Sequence, residues 1–509
     1  MSYYLEFIDA CTNGHIEVAK MLLQTYPQIN ISACDNAAFC YACSNGHLEV
    51  ARWLVNLYPS AVNISVLDDY AFRKACAYGH LEVAKWLIHT YPQINISARD
   101  NQAFYYACSH GHLEVAKWLV NSYSQINISA VNDYAFRNAC LNGHLEVAKW
   151  LVDSYQQINI SADDDFAFRN ACAHGHLEVA KWLVDINKSI NISALDDYAF
   201  RFACSRGYLE VAKWLVYSYP SAVNIFADYD YAFRNACAHG HLEIAKWLIE
   251  SYSSVVIISS MDNFAFRFAY KYGHLEVAKW LVESYPSGIN ISEHFIKAFA
   301  YACVNGHLEM LKWLVEIHPS ANLSADHGDD LFIDVCSNGH LEVAKWLVHT
   351  YPSAINISAY DDLAFMHACT YGHIEVVKWL VDSYPQINVS AREDDAFRSL
   401  CSNNQLGVAK WLVDSYPQIN VSAKDNYVFR YACLYNYINI AKWLVQIRPY
   451  HFVLELNQSQ TQILSWCIRS IQETKWLERA VPVLAYNSKT PNIFQSLNYD
   501  TVRYICKFV

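Results

Sequence analysis

Hydrophobic and polar positions recur along this chain with a period of 32 or 33 residues, and each period holds two stretches whose apolar residues lie three and four apart. That spacing puts the apolar side chains on one face of a helix. In Asp165-Phe166-Ala167-Phe168-Arg169-Asn170-Ala171-Cys172-Ala173-His174-Gly175, a first helix sets Phe168, Ala171 and Cys172 on one face and ends at the glycine. Gly175-His176-Leu177-Glu178-Val179-Ala180-Lys181-Trp182-Leu183-Val184 opens a second, with Leu177, Ala180, Leu183 and Val184 as its buried stripe and Glu178 and Lys181 on its polar face. The glycine falls at Gly14, Gly46, Gly79, Gly111, Gly143, Gly175, Gly207, Gly240, Gly273, Gly306, Gly339 and Gly372, and degenerate copies carry Asn404 and Asn436 there. Fourteen units at intervals of 32 (seven) and 33 (six) residues predict an all-α solenoid, in which a unit buries its apolar face only against its neighbours.

The columns of this register differ in how much they vary. Phenylalanine stands seven before the glycine in all fourteen copies, alanine four before it in twelve, and tryptophan seven after it in all but the first, which has Met21. A large ring beside a small side chain suits close helix packing, so these columns read as core. The connector, as in Tyr384-Pro385-Gln386-Ile387-Asn388-Val389-Ser390-Ala391, stops the second helix with proline and turns the chain, with a short extended excursion expected. Its Asn-Ile-Ser sequence, found with near variants in eleven copies, is formally a glycosylation sequon and is read here as turn chemistry. Asp or Asn stands ten before the glycine in twelve of the thirteen later repeats, where it is expected to cap the first helix. In six repeats that Asp precedes an Arg by four, as Asp69 precedes Arg73, and a local ion pair is expected.

Composition then narrows the class. A net charge of −12 and the absence of clustered Lys and Arg argue against nucleic acid as the main partner. No basic region followed by an apolar run marks the N-terminus as a signal peptide, and no apolar stretch approaches the roughly 20 residues that span a membrane. An intracellular, unsecreted monomer in the cytoplasm of a host cell, without membrane attachment, is expected. Thirteen of the seventeen cysteines occupy one column, three before the glycine, and eleven of the 21 histidines follow the glycine directly. One ligand per repeat does not converge on a metal, and helices about 8–10 Å apart hold cysteines too far apart for disulfides. Neither a metal nor another cofactor is expected. The cysteines read as small buried hydrophobes in a reducing compartment.

Two helices, a glycine and a connector in about 33 residues resemble the ankyrin repeat. The family's Thr-Pro-Leu-His-x-Ala-Ala-x-x-Gly-His pattern corresponds to Phe166-Ala167-Phe168-Arg169-Asn170-Ala171-Cys172-Ala173-His174-Gly175-His176, with Ala for Pro, Phe for Leu and Arg for the first His. The wording Ala-Phe-Arg-x-Ala-Cys, then Gly-His-Leu-Glu-Val-Ala-Lys-Trp-Leu, looks like the ankyrin proteins of giant amoeba-infecting DNA viruses. The resemblance covers residues 1–449 and implies a solenoid of helix-turn-helix units joined by short hairpin connectors. Residues 286–335 are less regular: Phe295-Ile296-Lys297 replaces the acidic position and Asp326-His327-Gly328-Asp329-Asp330 carries an added glycine, just beyond the column cysteine replaced by Tyr270. A bend or special contact is expected there. Residues 450–509 lack the repeat and read as a helical C-terminal cap.

The resemblance also implies a function: a non-enzymatic scaffold that binds a protein partner. Gly-rich phosphate loops, His-Glu-x-x-His and Gly-x-Ser-x-Gly are missing, and the polar columns recur singly. The position twelve before the glycine varies from copy to copy, and family geometry puts it in the hairpin on the concave side beside the residue just before the glycine. The expected protein-binding residues are Arg99, Asp163, Leu195, Asp228, Met261, Tyr360 and Arg392, with His110, His174 and His239. An alternative is a viral adaptor: the last thirteen residues resemble, without its usual Leu-Pro start, the truncated F-box-like tail with which poxvirus ankyrin proteins recruit ubiquitin ligase components.

Overall fold

A computed structural model describes residues 2–59, 62–252, 260–285, 291–319, 323, 325–435 and 437–447. They form 28 helices and no strand, two helices to each of the fourteen repeats. Contacts divide the chain into two compact units, the change falling within residues 269–290. The cap expected over 450–509 lies outside the described residues.

The core follows the columns. Phe7, Phe39, Phe72, Phe104, Phe136, Phe168 and Phe200 are at most 1% exposed, and the alanine and cysteine of the same face in these repeats are buried with them. Each column cysteine described is a free thiol. Burial pushes the thiol of Cys11 up to about 12 and those of Cys76, Cys108 and Cys140 higher still. The tryptophan column sits at the edge of this core. Trp214 is half-buried, its indole 6.4 Å from the Phe168 ring and perpendicular to the Tyr219 ring at 5.6 Å. That tyrosine is the C-cap of the second helix, donating its backbone N–H to Leu215. On the polar face Lys181 donates to Glu178 at 3.1 Å, and the same exposed pair recurs along the chain, as in Lys85–Glu82 and Lys345–Glu342.

The glycine sits where the chain turns from first helix to second. At Gly143 φ is +80°, a left-handed conformation, and a Cβ there would lie 2.5 Å from Nδ1 of His176 in the next repeat. Histidine after the glycine is therefore an interlock between repeats. In the second unit the Nε2–H of His340 donates to the Val304 carbonyl at 2.9 Å, and that of His373 to the Ser337 carbonyl at 2.8 Å.

Three expectations about the connector change form. Its extended excursion is a pair of tight turns. The Asn of Asn-Ile-Ser closes one of them, its Oδ1 accepting the N–H two residues on, as Asn95 does from Ser97 at 3.1 Å. The acidic residue ten before the glycine does not cap its own helix. It is the last of three consecutive residues in left-handed conformation, such as Asp163, Asp164 and Asp165 with φ of 59°, 52° and 59°. An L-residue there costs about 1–2 kcal/mol, least for Asp and Asn, which accounts for the acidic run. Asp165 is buried, and its Oδ2 accepts the backbone N–H of Asn191 in the next repeat at 3.0 Å. Asp69 with Asn95, Asp133 with Asn159 and Asp394 with Asn420 repeat this link. Nor does the arginine pair with the Asp four before it. Arg169 donates from Nε and Nη2 to the carbonyls of Asp164 and Asp163, at 2.6 and 2.9 Å, holding the left-handed turn closed. Its guanidinium also lies 5.1 Å from the ring of Tyr198 in the next repeat.

Two local features lie in or just before the irregular segment, both within the second unit. Tyr270, in place of cysteine, is fully buried with its ring 6.3 Å from that of Tyr301. At Gly328 a Cβ would collide with the Ala354 carbonyl oxygen, so only glycine permits that backbone approach.

Candidate protein-interaction face

The residue twelve before the glycine opens the left-handed turn, and the residue just before the glycine ends the first helix. At 1.5 Å per residue the right-handed stretch between them, as from Phe166 to Ala173, is about 12 Å long, which keeps them apart. What joins them is the outward stripe of that helix, carried by the residues nine and five before the glycine. Spacings of four residues put the positions nine, five and one before the glycine on one face, and the left-handed turn leads into it from the position twelve before. In the first unit this stripe is rich in half-buried aromatic rings: Tyr134, Phe166, Tyr198, Phe202 and Tyr231. Tyr198 stacks on Phe202 at 4.2 Å, and Phe202 reaches Tyr231 of the next repeat at 5.6 Å. Comparing only the ends of the stripe hid these residues, although the helical spacing that defined the core face also marks the opposite one.

The charged members of the expected site are engaged within the array. Arg99 Nε donates to Asp68 Oδ2 at 3.0 Å, and Asp163 and Asp228 accept from Arg137 and Arg201, each at 3.0 Å. In the second unit Arg392 pairs with Asp361. Each is an ion pair between successive repeats, with at least one partner well exposed. Leu195 and Tyr360, 52% and 60% exposed, are the open apolar members, and the side chain of Met261 lies outside the described residues. At the other end of the stripe, His110, His174 and His239 each set Nδ1 against the carbonyl four residues back, at 2.7, 2.9 and 2.8 Å. His174 Nε2 also lies 2.8 Å from Arg206 Nη1, and the His110 ring meets Tyr78 edge-on at 6.0 Å.

Two electrostatic features accompany this geometry. Burial pushes the Asp197 carboxyl up to about 6, against the pull of its backbone link to Asn224. Burial also lowers the Arg73 guanidinium's hold on its proton, and the neighbouring Arg99 charge adds to the effect. Among the described residues no group of three or more His, Cys, Asp and Glu is placed to hold a metal ion. Nor is any helix there long and apolar enough to cross a membrane.

Against known families, the family described as ankyrin repeats (many copies) matches residues 7–55, 72–120 and 168–216. That described as ankyrin repeats (3 copies) matches 200–294 and 299–393, and together the matches cover more than half of the chain. No curated protein matches it.

Proposed function

Because the chain belongs to the ankyrin-repeat family, an architecture of protein-interaction scaffolds, we propose that it binds a protein partner along the outward stripe of its first helices. The observation that carries this reading is a contrast between columns: the buried Phe, Ala and Cys hardly change, whereas the stripe changes from repeat to repeat. Tyrosine and other rings at such positions are the usual anchors of interfaces. In the first unit the footprint takes in Leu195 and the rings beside it, with Arg99, Asp163 and Asp228 at one rim and His110, His174 and His239 at the other; Met261 holds the column position of Leu195 in the sequence. Tyr360 and Arg392 are the corresponding positions of the second unit. Since the charged rim is paired internally, apolar contact supplies most of the affinity and the ion pairs set register.

The test is a pull-down from cell lysate with the wild type, Tyr198→Glu combined with Phe202→Glu, and the control Glu178→Lys on the polar face of a second helix. A partner retained by wild type and control but lost from the double variant is the expected result. Equal retention by all three overturns the reading. Loss confined to a chain lacking 450–509 moves the function to the tail and favours the ubiquitin-ligase adaptor, whose F-box-like segment lies outside the described residues.

A further inference from the structure

One repeat breaks the pattern of the stripe with a charge. Lys74, five before its glycine, is the only lysine or arginine among the fourteen residues of that column, where Tyr, Asn and Phe predominate. Its ammonium lies 5.6, 5.5 and 5.8 Å from the ring centroids of Tyr70, Tyr78 and Tyr106, close enough for the ring faces to attract a cation. Rings supply no counter-charge. The lysines of the second helices, such as Lys85 and Lys149, have a glutamate three residues before them, but among the described residues Lys74 forms no ion pair.

The ammonium lines a pocket of about 270 Å³ between the first helices Val66–Ala77 and Ala98–Ser109, whose walls hold three cations, Arg73, Lys74 and Arg99, and no carboxylate. Two are already committed: Arg73 donates to the Asp68 and Leu67 carbonyls at 2.7 Å each, and Arg99 donates to Asp68 Oδ2. Lys74 is left without an ion pair, beside an Arg73 guanidinium whose charge burial and then the Arg99 charge disfavour, with Asp68 and Asp69 acting the other way. On a chain of net charge −12, this is a local site that attracts an anion. Its volume is below the range of about 300–1,000 Å³ typical for whole small ligands, which suits a single side chain. A phosphate is best gripped by free guanidinium forks, and both forks here are engaged.

We propose that this pocket receives an aspartate or glutamate side chain from a segment of the partner, its carboxylate on Lys74 and its methylene groups against the tyrosine rings. The proposal names the chemistry of the partner and rests on the scaffold reading above. The probes are four matched sets of labelled twelve-residue peptides that differ only in a central Glu, Gln, Lys or phosphoserine, with permuted aromatic and small flanking residues. Each set is titrated into the full chain and followed by fluorescence anisotropy. The Glu set is expected to bind at least tenfold tighter than the Gln set, with an advantage that shrinks as salt rises. Lys74→Met, which keeps the side-chain stem, should abolish that preference, and Lys74→Glu should transfer it to the Lys set; thermal melts confirm that both variants fold. Equal binding of Glu and Gln sets, a preference that persists in Lys74→Met, tighter binding of the phosphoserine set, or no binding of the Glu set up to millimolar peptide each overturns the proposal. These outcomes leave the scaffold reading standing, since that falls only on the Tyr198 and Phe202 variants.

Discussion

At the scale of single residues, the glycine and the two aromatic columns divide the work of stability unevenly. Gly143 combines a left-handed backbone with a ring from the next repeat pressed against its Cα. Gly143→Ala therefore suffers both a conformational penalty of about 1–2 kcal/mol and the displacement of His176, and urea denaturation should show a loss of at least that size. Phe200 is 1% exposed whereas Trp214 is only half-buried. Phe200→Ala should therefore cost about 3–5 kcal/mol and Trp214→Ala about half as much, an order that urea midpoints would reveal. The phenylalanine column was legible because burial demands the same residue in each copy. Tryptophan was harder to grade, since a ring packed edge-on against Tyr219 recurs as faithfully as one in the core.

At the scale of the element, the left-handed turn is what the sequence concealed. Asp165 stands four residues before Arg169, a spacing that on a helix brings opposite charges together. The right-handed helix begins only after Asp165, so the spacing rule applied to backbone that does not obey it. The true partner of Asp165 is an N–H 26 residues ahead, beyond the reach of any local pattern. The outward stripe was partly legible, its ends found by comparing copies and its middle missed. Arg169 uses the planar fork of its guanidinium on two carbonyls at once, which an ammonium cannot reproduce. Arg169→Lys should therefore cost about 1–3 kcal/mol, as loss of charge-assisted hydrogen bonds does, and equilibrium denaturation beside Arg137→Lys would check it.

At the scale of the whole molecule, one column sets the response to acid. Burial lowers the proton affinity of His80, His112, His144, His176 and His340 from the ordinary 6.5. The unfolded chain then binds protons more readily than the folded one, so this stability is fully present above about pH 6.5 and lost as the pH falls. Asp197 and Asp334, whose carboxyls burial raises, act in the opposite sense and lose their contribution as the pH rises. The histidines outnumber them. The melting temperature should fall between pH 7.5 and 5.5, and His144→Gln, a side chain that Gln405 already supplies in the same column, should flatten the slope. A melting temperature constant across that range would show that the rings between repeats stay solvated.

The junctions of the first unit share one direction of dependence. Asn159 and Asn191 each give an N–H to the repeat before, while Arg137 and Arg169 each reach a ring in the repeat after. Copies that carry both the Asp or Asn and the Arg can therefore stand side by side with the required groups on facing edges. Where tandem copies are alike in their DNA as well, they mispair during replication and recombination, and an unequal exchange removes or adds a whole copy. A chain shortened or lengthened between two such copies meets at its new seam the same donors and acceptors. Array length is thus open to change in single steps of 32 or 33 residues, and each step changes which side chains the outward stripe presents.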